Sequence, residues 1–238
     1  MRSVKAVFNK QLKDINKNMG VLVQFVLFPV VAFAMTRLVA QGNDDIPDTM
    51  FITMMASIFV GMALIPTAAG IVAEDRERKS LRFLAMAGVK PFSYLVGIAS
   101  VVFVVSLLPS IAFAWMGGFG GREFLLFVAA MMFGVVASTM LGLTVGIFAT
   151  NQQSATGLAM PFALVFGFAP MIAMFNEPMM RVTRFFYTQQ IDIVLNSFYS
   201  VGGYQRANIW ESFAVIGGNI AVLVVLFVVV FARKGLRV

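Results

Sequence analysis

The stretch Glu74-Asp75-Arg76-Glu77-Arg78-Lys79-Ser80-Leu81-Arg82-Phe83-Leu84, followed by Lys90-Pro91, stands between two long apolar runs. Counted to Lys90, it holds eight of the chain's 29 charged residues, and the runs on either side (49–73 and 92–116) hold none. A segment of this charge density is too costly to leave in hydrocarbon. It is expected to project from a membrane as an amphipathic helix and to offer a polar face to something soluble. Glu74 and Arg78 are four apart, as are Asp75 and Lys79, with the acid first in each pair, the favourable order on a helix. The acids come early and the bases late, which suits the helix dipole. Leu81, Leu84 and Ala85 share a face, and Pro91 ends the helix before the next apolar run.

The rest of the chain agrees with a membrane setting. It is 60% hydrophobic and 12% charged, against about 25% charge in soluble domains. Six uncharged stretches reach the length of a membrane span, about 18 residues or more. They are read at 19–36, 49–73, 92–116, 124–150, 155–175 and 212–232. From Phe124 to Asn176 no charge occurs at all. That run is too long for one span, and the polar Asn151-Gln152-Gln153-Ser154 supplies a tight turn between two. The fold class expected is an all-α polytopic membrane protein. The basic start followed by an apolar run resembles a signal peptide, but no small-residue cleavage site follows near Ala34, so the first helix is read as retained.

Orientation follows from the short loops. Thirteen Lys and Arg residues fall on the side that holds both termini and the cassette, and five on the other. The termini and cassette are therefore expected to be cytoplasmic in a cell (plasma) membrane. The net charge of +7 is read as this topology signal, with no nucleic acid as partner. Trp115 and Trp210 fall at the outer span ends, where aromatic rings with a polar edge favour the headgroup zone.

Residues 1–18 read as an amphipathic interfacial helix. Val4, Phe8, Leu12 and Ile15 recur at helical spacing, and Lys5, Lys10, Lys13 and Lys17 flank them, placed to meet anionic lipid headgroups. The segment 176–211 on the outer side is long and semi-apolar. It is expected to form one or two short re-entrant helices, with Glu177-Pro178 suiting a helix start. The fourth span carries Gly134, Ser138, Gly142 and Gly146, each four apart, a packing face that lets two helices approach closely. Pro29, Pro66, Pro109, Pro161 and Pro170 fall within spans, where each removes a backbone hydrogen bond.

The chain contains no Cys and no His, which removes disulfides, thiolate metal sites and the commonest general base and metal ligand. No Asp, Glu, Lys or Arg lies within a span core. Ion-coupled transporters and voltage sensors place such groups there, so energy for transport is expected to enter from outside the bilayer. An intramembrane enzyme would need paired Asp, His or Ser-Lys groups in the spans, and none is present.

Six spans, a basic amphipathic leader, a charged helix between spans two and three (74–91) and a semi-apolar outer loop before span six together resemble the type-2 permease class of ATP-binding-cassette (ABC) exporters. The sharpest part of the likeness is Arg76, Glu77, Leu81 and Leu84. Lys79-Ser80 stands where that family usually has Gly-Thr, and Gly97 fits the Gly that opens its next span. The resemblance implies that Glu74, Asp75, Arg76, Glu77, Arg78, Lys79, Ser80, Leu81 and Leu84 lead into and form a coupling helix docked on a cytoplasmic ABC ATPase, expected in two copies. It implies that the leader approaches the ATPase, that a second permease copy or homologue completes the transporter, and that the source is bacterial. No phosphate-binding Gly-x-x-x-x-Gly-Lys-Ser/Thr motif occurs. ATP and Mg are thus expected on the separate partner, with no cofactor in this subunit and no catalysis by it. The charge-free spans point to a hydrophobic or amphipathic cargo moved outward: a peptide, an antimicrobial or a lipid-like compound. A non-transporting membrane scaffold is the alternative from another class.

Overall fold

A computed structural model describes residues 2–41, 46–80, 83, 86–89, 91–198 and 208–234. Helix α1 (Arg2–Lys17) leads into α2 (Met19–Met35), which runs on through a π-helical turn, Thr36–Ala40. Helix α3 (Met50–Ile58), a second π-helical turn (Phe59–Ala63) and α4 (Leu64–Glu77) form one continuous rod. Then come α5 (Pro91–Met116), α6 (Gly121–Gly146), α7 (Gln152–Phe175), the short α8 (Glu177–Thr183) and α9 (Tyr187–Asn196), and α10 (Ile209–Lys234). The described residues contain no strand. Among the described residues, six helices are long and apolar enough to cross a membrane: Met19–Ala40, Met50–Glu77, Phe92–Met116, Gly121–Gly146, Gln152–Phe175 and Ile209–Arg233. The protein is thus an all-α polytopic membrane protein.

Most helix ends depart from those of the apolar stretches by a few residues, because a helix ends where its caps are and not where lipid ends. The second span continues past Ala73 to Glu77. The fourth ends at Gly146 and the fifth begins at Gln152, where the Asn151 side chain accepts from the Ser154 amide and the Ser154 hydroxyl reaches back to the Asn151 amide. This reciprocal cap satisfies two donors that a helix start leaves open. The polar run 151–154 is therefore the cap and first turn of α7, and the loop proper is only 147–151.

The second span is the most buried of the six, and α6 and α7 enclose it. The seam with α7 is made by Ala155, Ala159, Ala163 and Gly167, packed on Ile65, Ala69 and Ala73 with little side chain between the backbones. A Cβ added at Gly61 would stand 2.5 Å from the Gly167 amide nitrogen, so the rods touch at backbone distance there. The seam with α6 uses the four-residue repeat. A Cβ on Gly142 would meet the Ile65 carbonyl at 2.4 Å, and one on Gly146 the Ala69 carbonyl at 2.8 Å. The Ser138 hydroxyl donates to the Val60 carbonyl at 2.6 Å. A Cβ on Gly134 would strike Ile191 and Val60.

The π-helical turn in the second span has an identifiable cause. Pro66 has no amide hydrogen to give the Met62 carbonyl, and its ring crowds that group. The widened turn at Phe59–Ala63 lies directly before it, the usual way a helix absorbs such a misfit. Phe59 points from this turn into a ring cluster with Phe25, Phe28 and Phe113, at centroid distances of 5.4, 5.9 and 6.0 Å. That cluster ties the first three spans together. Pro29, Pro109, Pro161 and Pro170 lie inside helices that continue through them.

Candidate functional site

The cassette sits at one end of the bundle and is built as an extension of the central rod. Its first four charges, Glu74 to Glu77, occupy the last turn of α4. A single helix from Glu74 onward is not what forms: Arg78 caps α4, and Lys79 adopts φ 57°. This left-handed conformation is the one glycine takes without penalty at a helix C-terminus. It explains why the Gly-Thr of the resembling family has its Gly at this position. Lys79→Gly is expected to raise stability by about 1 kcal/mol, read as a higher thermal midpoint in detergent. Leu81 and Leu84 lie outside the described residues. Phe83 and Met86 do not, and both are largely exposed together with Arg78 and Lys79.

The first four charges point in different directions. Glu74 pairs with Arg78 at 2.8 Å. Asp75 does not pair with Lys79. It is buried at 3% exposure and accepts hydrogen bonds from the Lys10 ammonium, the Gln11 amide and the Tyr94 hydroxyl, the last at 2.8 Å. Lys10 also meets Asp14 at 3.0 Å. One carboxylate thus binds α1 to the end of the second span and the start of the third. Burial works to lower the Lys10 pKa. The hydrogen bonds and charges of Asp75 and then Asp14 outweigh it, so the ammonium titrates above its ordinary 10.5. The sign follows: Lys10's stabilising contribution is fully present below 10.5 and is lost as pH rises from there through its raised value.

This network also sets how α1 sits. Val7, Gln11 and Ile15 are buried, Val4, Phe8 and Leu12 half-buried, and Lys5 and Lys13 exposed. Of the expected stripe Val4, Phe8, Leu12 and Ile15, only Ile15 lies in the protein-facing row, and the other three flank it. The row itself includes a glutamine, which periodicity of apolar residues passes over and which Asp75 makes tolerable. Val7 rests on Gly97 of α5, where an added Cβ would stand 2.6 Å from the valine Cγ1.

Arg76 and Glu77 turn to the 147–151 loop. Arg76 Nη1 donates to the Ile147 carbonyl at 3.0 Å and to the Ala149 carbonyl at 2.7 Å. Glu77 Oε2 accepts from the Gln152 amide at 3.1 Å. Beside them a crevice of about 140 Å³ opens between α1, α2, α4 and the start of α7, with Gln11, Asp14, Gln24, Thr67, Glu74 and Thr156 among its walls.

At the opposite end, α9 is buried except for a half-buried edge at Ile193 and Asn196, packed among the second, fourth, fifth and sixth spans. It carries a carboxylate into the bundle, which the absence of charge from the spans did not foretell. The Ser57 hydroxyl donates to Asp192 at 3.2 Å, and Thr53 Oγ1 to Asn196 Oδ1 at 3.0 Å. The Tyr187 hydroxyl is 2.9 Å from Ser138 Oγ. Since Ser138 donates to Val60, Tyr187 is the donor in that pair. Burial pushes the Asp192 carboxyl up to about 7, against the hydrogen bonds from Ser57 and Asn196. A raised acid pKa means the folded state holds a proton that the unfolded chain releases above 3.8. Stability should therefore fall as pH rises from about 4 to about 7 and then level off. Thermal midpoints at pH 5 and pH 8 should differ in the wild type, and Asp192→Asn should shrink the difference.

Residues 6–232 match the family model described as ABC-2 family transporter protein, and the chain belongs to that family. No curated protein matches it. The protein is accordingly the transmembrane component of an ABC transporter and not its ATPase, in a family whose members generally work with a cytoplasmic ABC ATPase.

Proposed function

We propose that this chain is the permease subunit of an ATP-driven exporter of a hydrophobic or amphipathic solute. The observation that carries the reading is mechanical. The most buried span of the bundle ends in the charged cassette without a break, so a push on the cassette is a push on the centre of the fold. A separate ATPase binds ATP and Mg, closes, and moves the outer part of the cassette. Arg78, Lys79, Phe83 and Met86 are exposed and, with Leu81 and Leu84, form the docking surface. The side with the cassette and both termini is cytoplasmic, as the loop charges require. Helix α1 lies along the inner face with Lys5 and Lys13 toward anionic lipid, and α8 and α9 are the outer re-entrant pair.

The lining supports this cargo class. The crevice sets polar groups such as Gln24 and Thr67 among apolar ones such as Ile15 and Val21, and the outward faces of α2 (Val23, Val26, Leu27, Val30) and α7 (Leu164, Val165, Ile172) are apolar and exposed. Amphipathic solutes match this pairing of a mixed mouth with apolar flanks, and a second permease copy or homologue would close the path. The test is reconstitution with the ATPase into liposomes, followed by ATP-dependent movement of fluorescent lipid analogues, an amphipathic peptide and a cationic dye. Movement of at least one of these is expected. If ATP hydrolysis proceeds and none moves, the cargo class is wrong.

A further inference from the structure

Arg76 and Glu77 are adjacent on the last turn of α4, yet each holds a different helix. Arg76 gives its guanidinium to the Ile147 and Ala149 carbonyls, at the C-terminus of α6. Glu77 gives its carboxylate to the Gln152 amide, the first of α7. Each charge faces the helix end of opposite partial charge. The Asn151–Ser154 cap has already taken the Ser154 amide, and Glu77 takes the Gln152 amide, a further open donor of that N-terminus. The 147–151 loop joining the fourth and fifth spans is therefore gripped on both sides by the end of the second. Beyond the grip, the chain turns away at Lys79 and exposes Phe83 and Met86.

We infer that Arg76 and Glu77 are positioning residues of the transport cycle: they carry motion of the cassette to the fourth and fifth spans and do not themselves touch the ATPase. The inference rests on the ABC coupling reading above and assigns two of its residues an inward task. A stroke arriving through the exposed outer cassette reaches α4 at its last turn. The clamp passes it to α6 and α7 at once, because three hydrogen bonds with charged partners resist being pulled apart.

The test removes the Glu77 arm of the clamp, from either side. Glu77→Ala deletes the acceptor. Gln152→Pro deletes the donor at a position where proline suits a helix start, and the preceding residue, Asn151, is already extended at φ −148°, ψ 173°, as proline requires. The two variants and their double are co-expressed with the ATPase. The readout is maleimide labelling of Met174→Cys, at the far end of α7 in a chain with no native Cys, with and without ATP. All three should retain the ATPase and its hydrolysis. Each should cut the ATP-dependent change in labelling rate about tenfold, with the double no worse than either single. A structural lesion would instead accumulate in the double. If Glu77→Ala loses the ATPase while Gln152→Pro keeps it, Glu77 is a docking residue and the proposal falls. It also falls if both variants keep the full ATP response, or if ATP leaves the unmutated protein's labelling unchanged. Failure of the unmutated chain to hold any ATPase would overturn the coupling reading itself, and is visible before a variant is made.

Discussion

Asp75→Ala should detach α1 from the bundle and cost about 3 kcal/mol or more, the order found when one partner of a buried ion pair is removed. The substitution leaves the Gln11 amide and the Tyr94 hydroxyl buried without their acceptor, and takes from Lys10 the nearer of its two carboxylates. Tyr94→Phe removes one neutral donor and leaves Asp75 with two, so about 1 kcal/mol is expected. The gap between the two variants separates loss of the hub from loss of a spoke. Thermal midpoints in detergent measure the cost. Labelling of Val7→Cys measures the detachment, since Val7 is fully buried against α5. The labelling rate should rise in Asp75→Ala and stay low in Tyr94→Phe.

Gly142→Ala should be the second large effect, and its sign runs against helix propensity. An alanine in a helix interior is better than glycine by about 1 kcal/mol. Here the added carbon would stand 2.4 Å from the Ile65 carbonyl and 2.7 Å from the Ala68 Cβ. Neither neighbour is the end of a flexible side chain, so α4 and α6 must separate. A net loss of about 2 kcal/mol is expected from overpacking of this kind. Gly157→Ala is the control, because nothing lies within 4 Å of its added carbon. It should be neutral or stabilising by up to about 1 kcal/mol. This contrast between the two glycines would show that the seam, and not glycine as such, holds the second span in place.

Much of the architecture was legible because hydropathy over a span sums many residues and tolerates local error. The six spans fall within a few residues of where the apolar runs place them. The Gly134–Gly146 repeat is legible as a packing face for the same reason: small residues four apart have few other uses in lipid. What stayed hidden depends on single partners far away in sequence. Asp75 looks like one more charge in a solvated cassette until Lys10 and Gln11, more than sixty residues earlier, are brought against it. Arg76 and Glu77 match a motif, but the motif does not say that they hold a loop seventy residues on. Asp192 lies in a stretch outside the spans, and only the folded bundle shows that most of α9 is buried. Pro66 announces a disturbance in the second span without saying that a π-helical turn will absorb it. Lys79, departing from the family's Gly, is a visible substitution whose cost appears only with its φ of 57°.

The claim on which the rest depends is that force enters through the cassette from an ATPase on a separate chain. The most direct test is to express the protein with each ABC ATPase of its source, extract it gently, and determine the native mass of the particle with and without ATP. The account predicts two permeases with two ATPases, a complex that loses its ATPases when Phe83 and Met86 are replaced by Asp and keeps them in Glu77→Ala. A stable particle that contains no ATPase, and is indifferent to charges placed at Phe83 and Met86, would contradict it and favour a membrane scaffold.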